Sequence, residues 1–109
     1  MSKVVHISSV DEFRTLIAST AFETTIVDFS ATWCGPCIGI APYFETLAQK
    51  NQGIQFLKVD VDEYPDISQE ANVRAMPTFV VYRNGVLTSE KIQVHTYILT
   101  LTIKFPIKH

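Results

Sequence analysis

Two cysteines, Cys34 and Cys37, stand with two residues between them behind Trp33, and they carry the most distinctive chemistry in the chain. That spacing lets two sulfurs meet within one helical turn and trade two electrons between dithiol and disulfide forms. Context gives the pair its meaning. It follows the β-branched and aromatic run Thr25–Ser30, which reads as a buried strand, and it precedes a helical pattern. Cys34 therefore falls at a helix N-terminus, where free N–H groups and the macrodipole favour a thiolate. Gly35 is expected to permit close backbone packing, and Pro36 has no N–H to leave unpaired in the first turn. Two plainer readings compete: half of a zinc site, or two inert core cysteines. Zinc normally takes four protein ligands, and His6, His95 and His109 are scattered without ligand spacing. A strand–helix junction flanked by Trp is not a core position.

Three other residues bear on this chemistry. Asp28 lies inside the apolar strand before the cysteines. It is either a surface-facing strand acid or a buried carboxyl with a raised pKa. Lys58, on another strand, either sits near it and offsets its charge or is solvated. Pro77 follows Met76 before a strand, where base rates favour a trans bond, since only about 5% of X–Pro bonds in folded proteins are cis.

The elements that must position these residues alternate. Val4–Ile7 reads as a short strand. Ser9 and Glu12 form a capping-box pattern before the apolar stripe Val10, Phe13, Leu16 and Ile17. A helix from about Cys34 to Asn51 has the stripe Cys37, Ile40, Ala41, Phe44, Leu47 and Ala48, a kink expected at Pro42, and Gly53 as its stop. Ile54–Val61 is the next strand, Pro65–Asn72 a short helix and Thr78–Arg83 a strand. Asn84-Gly85 predicts a type I′ hairpin turn into a strand from Val86 to about Ile92. This order implies an α/β fold, a mixed sheet with helices on both faces. The last stretch fits two periods. β-branched residues favour a strand, but the need to cover the sheet favours a helix over 94–105, with Val94, Tyr97, Ile98, Leu101 and Phe105 inward.

Length and composition bound the rest. The 109 residues allow one compact domain, two at the very most; 47% are hydrophobic, and Lys+Arg 9 against Asp+Glu 11 gives a net charge of −2. No basic block points to nucleic acid, and no apolar run reaches membrane-spanning length. The start, Met1 to Ile7, lacks a signal-peptide run, so the expected compartment is the reducing cytoplasm. Asp60, Asp62, Glu63 and Asp66 form an acidic patch, expected to be a solvated loop.

At the cysteine motif the chain resembles the thioredoxin family. Val27–Cys37 is similar to that family's active-site strand and loop, Ala41-Pro42 to its kinked helix and Lys58–Asp62 to its central strand. Val73–Thr78 resembles its cis-proline loop and Phe79–Gly85 its hairpin. The likeness covers about residues 4–90 and fails over 91–109, so one domain with an atypical end is expected. Two departures stand out. Ile38 replaces the Lys or Arg usual after the second cysteine, and Lys91–His95 lacks the usual groove glycine.

The resemblance implies a thioredoxin fold and a dithiol–disulfide oxidoreductase. Cys34 is then the nucleophile, Cys37 the resolving thiol and Asp28 the acceptor of the Cys37 proton through water. Gly35, Pro36, Lys58 and a cis Pro77 support them, and Trp33, Ala75 and Met76 line the substrate groove. It also implies no cofactor and no metal. Expected partners are disulfide-containing proteins and a flavin-dependent thioredoxin reductase. A monomer is expected, with a dimer through the C-terminal segment as the variant outcome. The alternative from another class is a redox-silent or redox-sensitive module that binds a partner through the same groove.

Overall fold

The computed structural model describes residues 3–93. In chain order the elements are β1 (Val4–His6), α1 (Val10–Ala18), β2 (Thr24–Ser30), α2 (Gly35–Lys50), β3 (Gln55–Asp60), α3 (Pro65–Glu70), β4 (Thr78–Arg83) and β5 (Val86–Gln93). They build a five-stranded sheet in the order β1-β3-β2-β4-β5. β1, β3 and β2 run parallel, and β4 and β5 are antiparallel to their neighbours. This is the α/β mixed sheet expected from the alternating periodicities. The expected helix over 94–105 lies outside the described residues. Among those described, no helix is long and apolar enough to cross a membrane.

The strand register sorts the side chains onto two faces, because directly paired residues point the same way. Val4, Phe56, Ile26 and Val81 form one row, and His6, Lys58, Asp28 and Phe79 the next row on the same face. Helix α2 covers this face with Ile40, Phe44, Leu47 and Ala48. Phe44 meets both Phe56 and Phe79, with ring centroids 5.2 Å and 5.4 Å apart. On the other face Val27, Leu57, Val59, Phe29 and Val80 pack against Phe13 of α1, Ile67 of α3 and Ala71, the C-cap of α3. Each fully buried side chain of this size contributes about 1.5–3 kcal/mol. Strand β2 is buried along its whole length because both faces are covered.

The helix ends follow their sequence signals with local corrections. The Ser9 hydroxyl accepts the Glu12 N–H, but Glu12 reaches back to the Ser8 N–H rather than to that of Ser9. Gly53 does not take the positive φ of a helix stop; α2 ends at Lys50 with Asn51 as its cap. The hairpin turn is as expected, with Asn84 at φ 53° and Gly85 at φ 79°.

Candidate active site

The C-terminal ends of β2 and β3 meet the N-terminus of α2, a place where parallel sheets commonly bind ligands. Cys34 is the N-cap of α2, in extended backbone, and its sulfur accepts the Cys37 N–H at 3.2 Å. Pro36 occupies the first turn, where its missing N–H costs no helical bond. One turn brings Cys37 back against Cys34, and the two are joined in a disulfide with Cα atoms 5.2 Å apart. Among the described residues no cluster of three or more His, Cys, Asp or Glu could hold a metal ion.

The disulfide sits in a small apolar cluster with Ala31, flanked by Val61 and Met76. Cys34 is 5% exposed and Cys37 2%, so in this disulfide form burial hardly separates the two sulfurs. Gly35 corrects the expectation of close packing: a Cβ there would meet nothing within 4 Å. The ground above the motif is open.

The Met76–Pro77 bond is cis. The Met76 carbonyl oxygen lies 3.7 Å from Cys34 Sγ. The Thr78 hydroxyl donates to the Ala75 carbonyl and braces the loop. Pro77 is buried, Met76 half-buried and Ala75 exposed. Trp33 is 67% exposed and so is not a core residue.

Asp28 is fully buried on the sheet face that α2 covers. Neither of its carboxylate oxygens has a hydrogen-bond partner among the described residues. The surface-acid alternative is thereby removed. Burial pushes the carboxyl up to about 7, and the nearby Lys58 charge partly opposes the rise. Lys58 is Asp28's direct register partner on β3, half-buried and not fully solvated.

Two clefts lie beside this acid and Cys37. One, of about 340 Å³, is lined by Asp28, Lys58, His6, Ile38 and Pro42 among others. A second, of about 440 Å³, is lined by Cys37, Ile38, Lys58, His6 and Asp60. Ile38, Lys58 and His6 belong to both, so the Asp28 and Cys37 cavities adjoin. Space of this size can hold water between polar groups.

In the acidic patch Asp62, Glu63 and Asp66 are exposed, as expected of a solvated segment, and Asp60 is half-buried. Asp60 Oδ1 accepts the N–H groups of Asp62 and Glu63, and Asp62 Oδ2 accepts Trp33 Nε1–H at 2.8 Å. Sequence reasoning did not place Asp62 or His6 at the site. The Asp60-x-Asp62 spacing carried a turn signal, but nothing local linked it to Trp33.

A thioredoxin family model matches residues 4–101. Thioredoxin from Coprinus comatus is 50% identical over 88 residues, 79% of this chain and 81% of the relative. Horse thioredoxin is 40% identical over 101 residues, 93% of this chain and 96% of that one. The crystal structure of a poplar thioredoxin h superposes with a TM-score of 0.90 at 31% identity, covering 98% of both chains.

Proposed function

The chain belongs to the thioredoxin family and is a thiol–disulfide oxidoreductase, and from that premise we propose how its residues divide the reaction. In the dithiol form the Cys34 thiolate attacks one sulfur of a substrate disulfide. A Cys34–substrate mixed disulfide forms, and the other substrate sulfur leaves as a thiolate that takes a proton. Cys37 then gives its proton to Asp28 through the adjoining clefts and attacks Cys34 Sγ. The Cys34–Cys37 disulfide closes, and the substrate leaves as a dithiol carrying two electrons from the protein.

One observation carries this reading: the Cys34–Cys37 pair stands at the N-terminus of α2, and the cleft of Cys37 adjoins that of a buried Asp28 with no hydrogen-bond partner among the described residues. A thiolate at Cys34 is favoured by the helix N-terminus and by the Cys37 N–H. A base near neutrality suits proton removal from a thiol. A redox-silent binding module has no use for that combination. No cofactor is required, because the two thiols carry the electrons.

Family membership brings disulfide-containing proteins as substrates and a thioredoxin reductase as electron source. We further propose that this reductase is flavin-dependent and that the compartment is the cytoplasm, where a reducing supply keeps the dithiol form available. The test is disulfide reduction coupled to a thioredoxin reductase, run with wild type, Cys34→Ser and Cys37→Ser. Wild type should turn over, Cys37→Ser should accumulate a covalent protein–substrate adduct, and Cys34→Ser should do neither. Turnover by Cys34→Ser would overturn the mechanism.

A further inference from the structure

The rim of the active disulfide is apolar on its surface and acidic at its edge. Trp33 and Ile38 stand 67% and 64% exposed on either side of the cysteine turn. Ile38 shares the Cys37 cleft with Asp60 and Glu63. Asp62 holds the Trp33 indole through its 2.8 Å hydrogen bond. Three carboxylates thus border two exposed apolar side chains. The donors to Asp60 and Asp62 are uncharged N–H groups, so they leave the carboxylate charge uncancelled. Lys58 and His6 line the same cleft. The Lys58 charge also acts on Asp28, its register partner, and this one Lys faces three carboxylates, so the lip keeps an acidic excess. A Lys or Arg at position 38 would sit among these carboxylates; this chain places Ile there.

We propose that Ile38 and the acidic lip of Asp60, Asp62 and Glu63 make this chain selective for disulfides in apolar segments flanked by Lys or Arg, and disfavour acidic ones. The proposal rests on the disulfide-reductase reading above. A substrate approaching Cys34 covers Ile38 and Trp33, and an apolar residue there releases water from both. A flanking cation then meets the carboxylates and speeds encounter, whereas a flanking acid meets like charge as it loses water. Trp33, held on Asp62, joins the two parts of the surface, because a move of the indole also moves the nearest edge of the lip.

The experiment uses peptides that share one intramolecular disulfide and differ in the adjoining pair: Leu-Lys, Leu-Glu or Ser-Ser. A small uncharged aromatic disulfide is the control. The full-length reduced chain reacts with each in stopped flow. Leu-Lys should be reduced about three- to tenfold faster than Leu-Glu at low salt, a range set by exposed charge pairs. The gap should close near about 0.5 M salt, where screening is short-ranged. Ile38→Lys, at an exposed position, should narrow or invert the order while its melting midpoint stays close to that of wild type. Equal rates for the two peptides at low salt, with the small disulfide reduced normally, would overturn the selectivity and leave the reductase reading standing. Failure on the small disulfide as well would overturn both.

Discussion

Asp28 stands directly across from Lys58 in the β2–β3 register, yet neither of its carboxylate oxygens accepts a hydrogen bond from a described residue. Lys58 acts on it only through its charge, and burial wins: the carboxyl rises from 3.8 to about 7. Between those values the folded chain holds a proton that the unfolded chain has released. Stability therefore falls as pH rises from about 4 to about 7 and stays low above that. The penalty is on the order of 4 kcal/mol at alkaline pH, by the usual conversion of a pKa difference. Asp28→Asn removes the carboxylate but leaves an amide without partners, which costs about 1–3 kcal/mol. The variant should be more stable than wild type at pH 8 and equal or less stable at pH 4. Denaturant midpoints at the two pH values check this; a difference independent of pH would mean that Asp28 does not titrate in the folded chain as described.

The same carboxyl sets an expectation for rate. If Asp28 takes the Cys37 proton, release from the mixed disulfide should accelerate as pH rises through about 7, where the base becomes free. Asp28→Asn should slow release about 10²-fold or more, the scale of a lost general base. The first attack by Cys34 should change far less. Single-turnover quench flow separates the two steps. An equal loss in both would assign Asp28 to the structure of the site and not to proton transfer.

Exposure does not choose the nucleophile, since Cys34 and Cys37 differ only between 5% and 2%. Electrostatics does. Cys34 caps α2 and its sulfur receives the Cys37 N–H, so its thiolate is favoured. The reduced chain, given limiting iodoacetamide at neutral pH, should carry the label on Cys34. Peptide mapping reads the outcome, and a label mainly on Cys37 would reverse the two roles.

The element order is legible in the sequence because each element has its own local signal. β2 is a run of strand-forming residues, α2 opens on Cys34-Gly35-Pro36 with a regular apolar stripe, and Asn84-Gly85 names its turn. What stays hidden depends on the register between distant strands. His6, Lys58 and Asp28 line up across three strands, and no single segment encodes that row. Trp33 and Asp62 are 29 residues apart and meet only because β2 and β3 end side by side. Glycines mislead in the same way. Gly35 suggests close packing, but its surroundings are open, and Gly53 suggests a helix stop that Asn51 provides. A glycine is informative only when its φ or its neighbours demand it.

Gly85 meets both conditions. Its φ of 79° lies in the region that side chains with a Cβ rarely adopt, and an added Cβ would stand 3.2 Å from the Ile17 carbonyl oxygen. That oxygen is main chain in α1, which is held to the sheet by Phe13 packing edge-on to Tyr82 at 5.9 Å between centroids. The crowding cannot be relieved by swinging a flexible side chain. The turn is also fixed from the other side, since the Asn84 N–H donates to the Glu23 carbonyl at 2.7 Å. Gly85→Ala should therefore cost about 1–3 kcal/mol, combining the left-handed backbone penalty with the close contact. Asn84→Gly, which meets the same φ requirement, should cost less than about 1 kcal/mol. The turn lies at the end of β4 opposite Pro77, so reduction of a small disulfide should proceed at an unchanged rate in both variants. Urea titrations check the stability order. Equal midpoints for Gly85→Ala and wild type would show that the hairpin shifts away from α1 at no cost, and that the positive φ is not what selects glycine there.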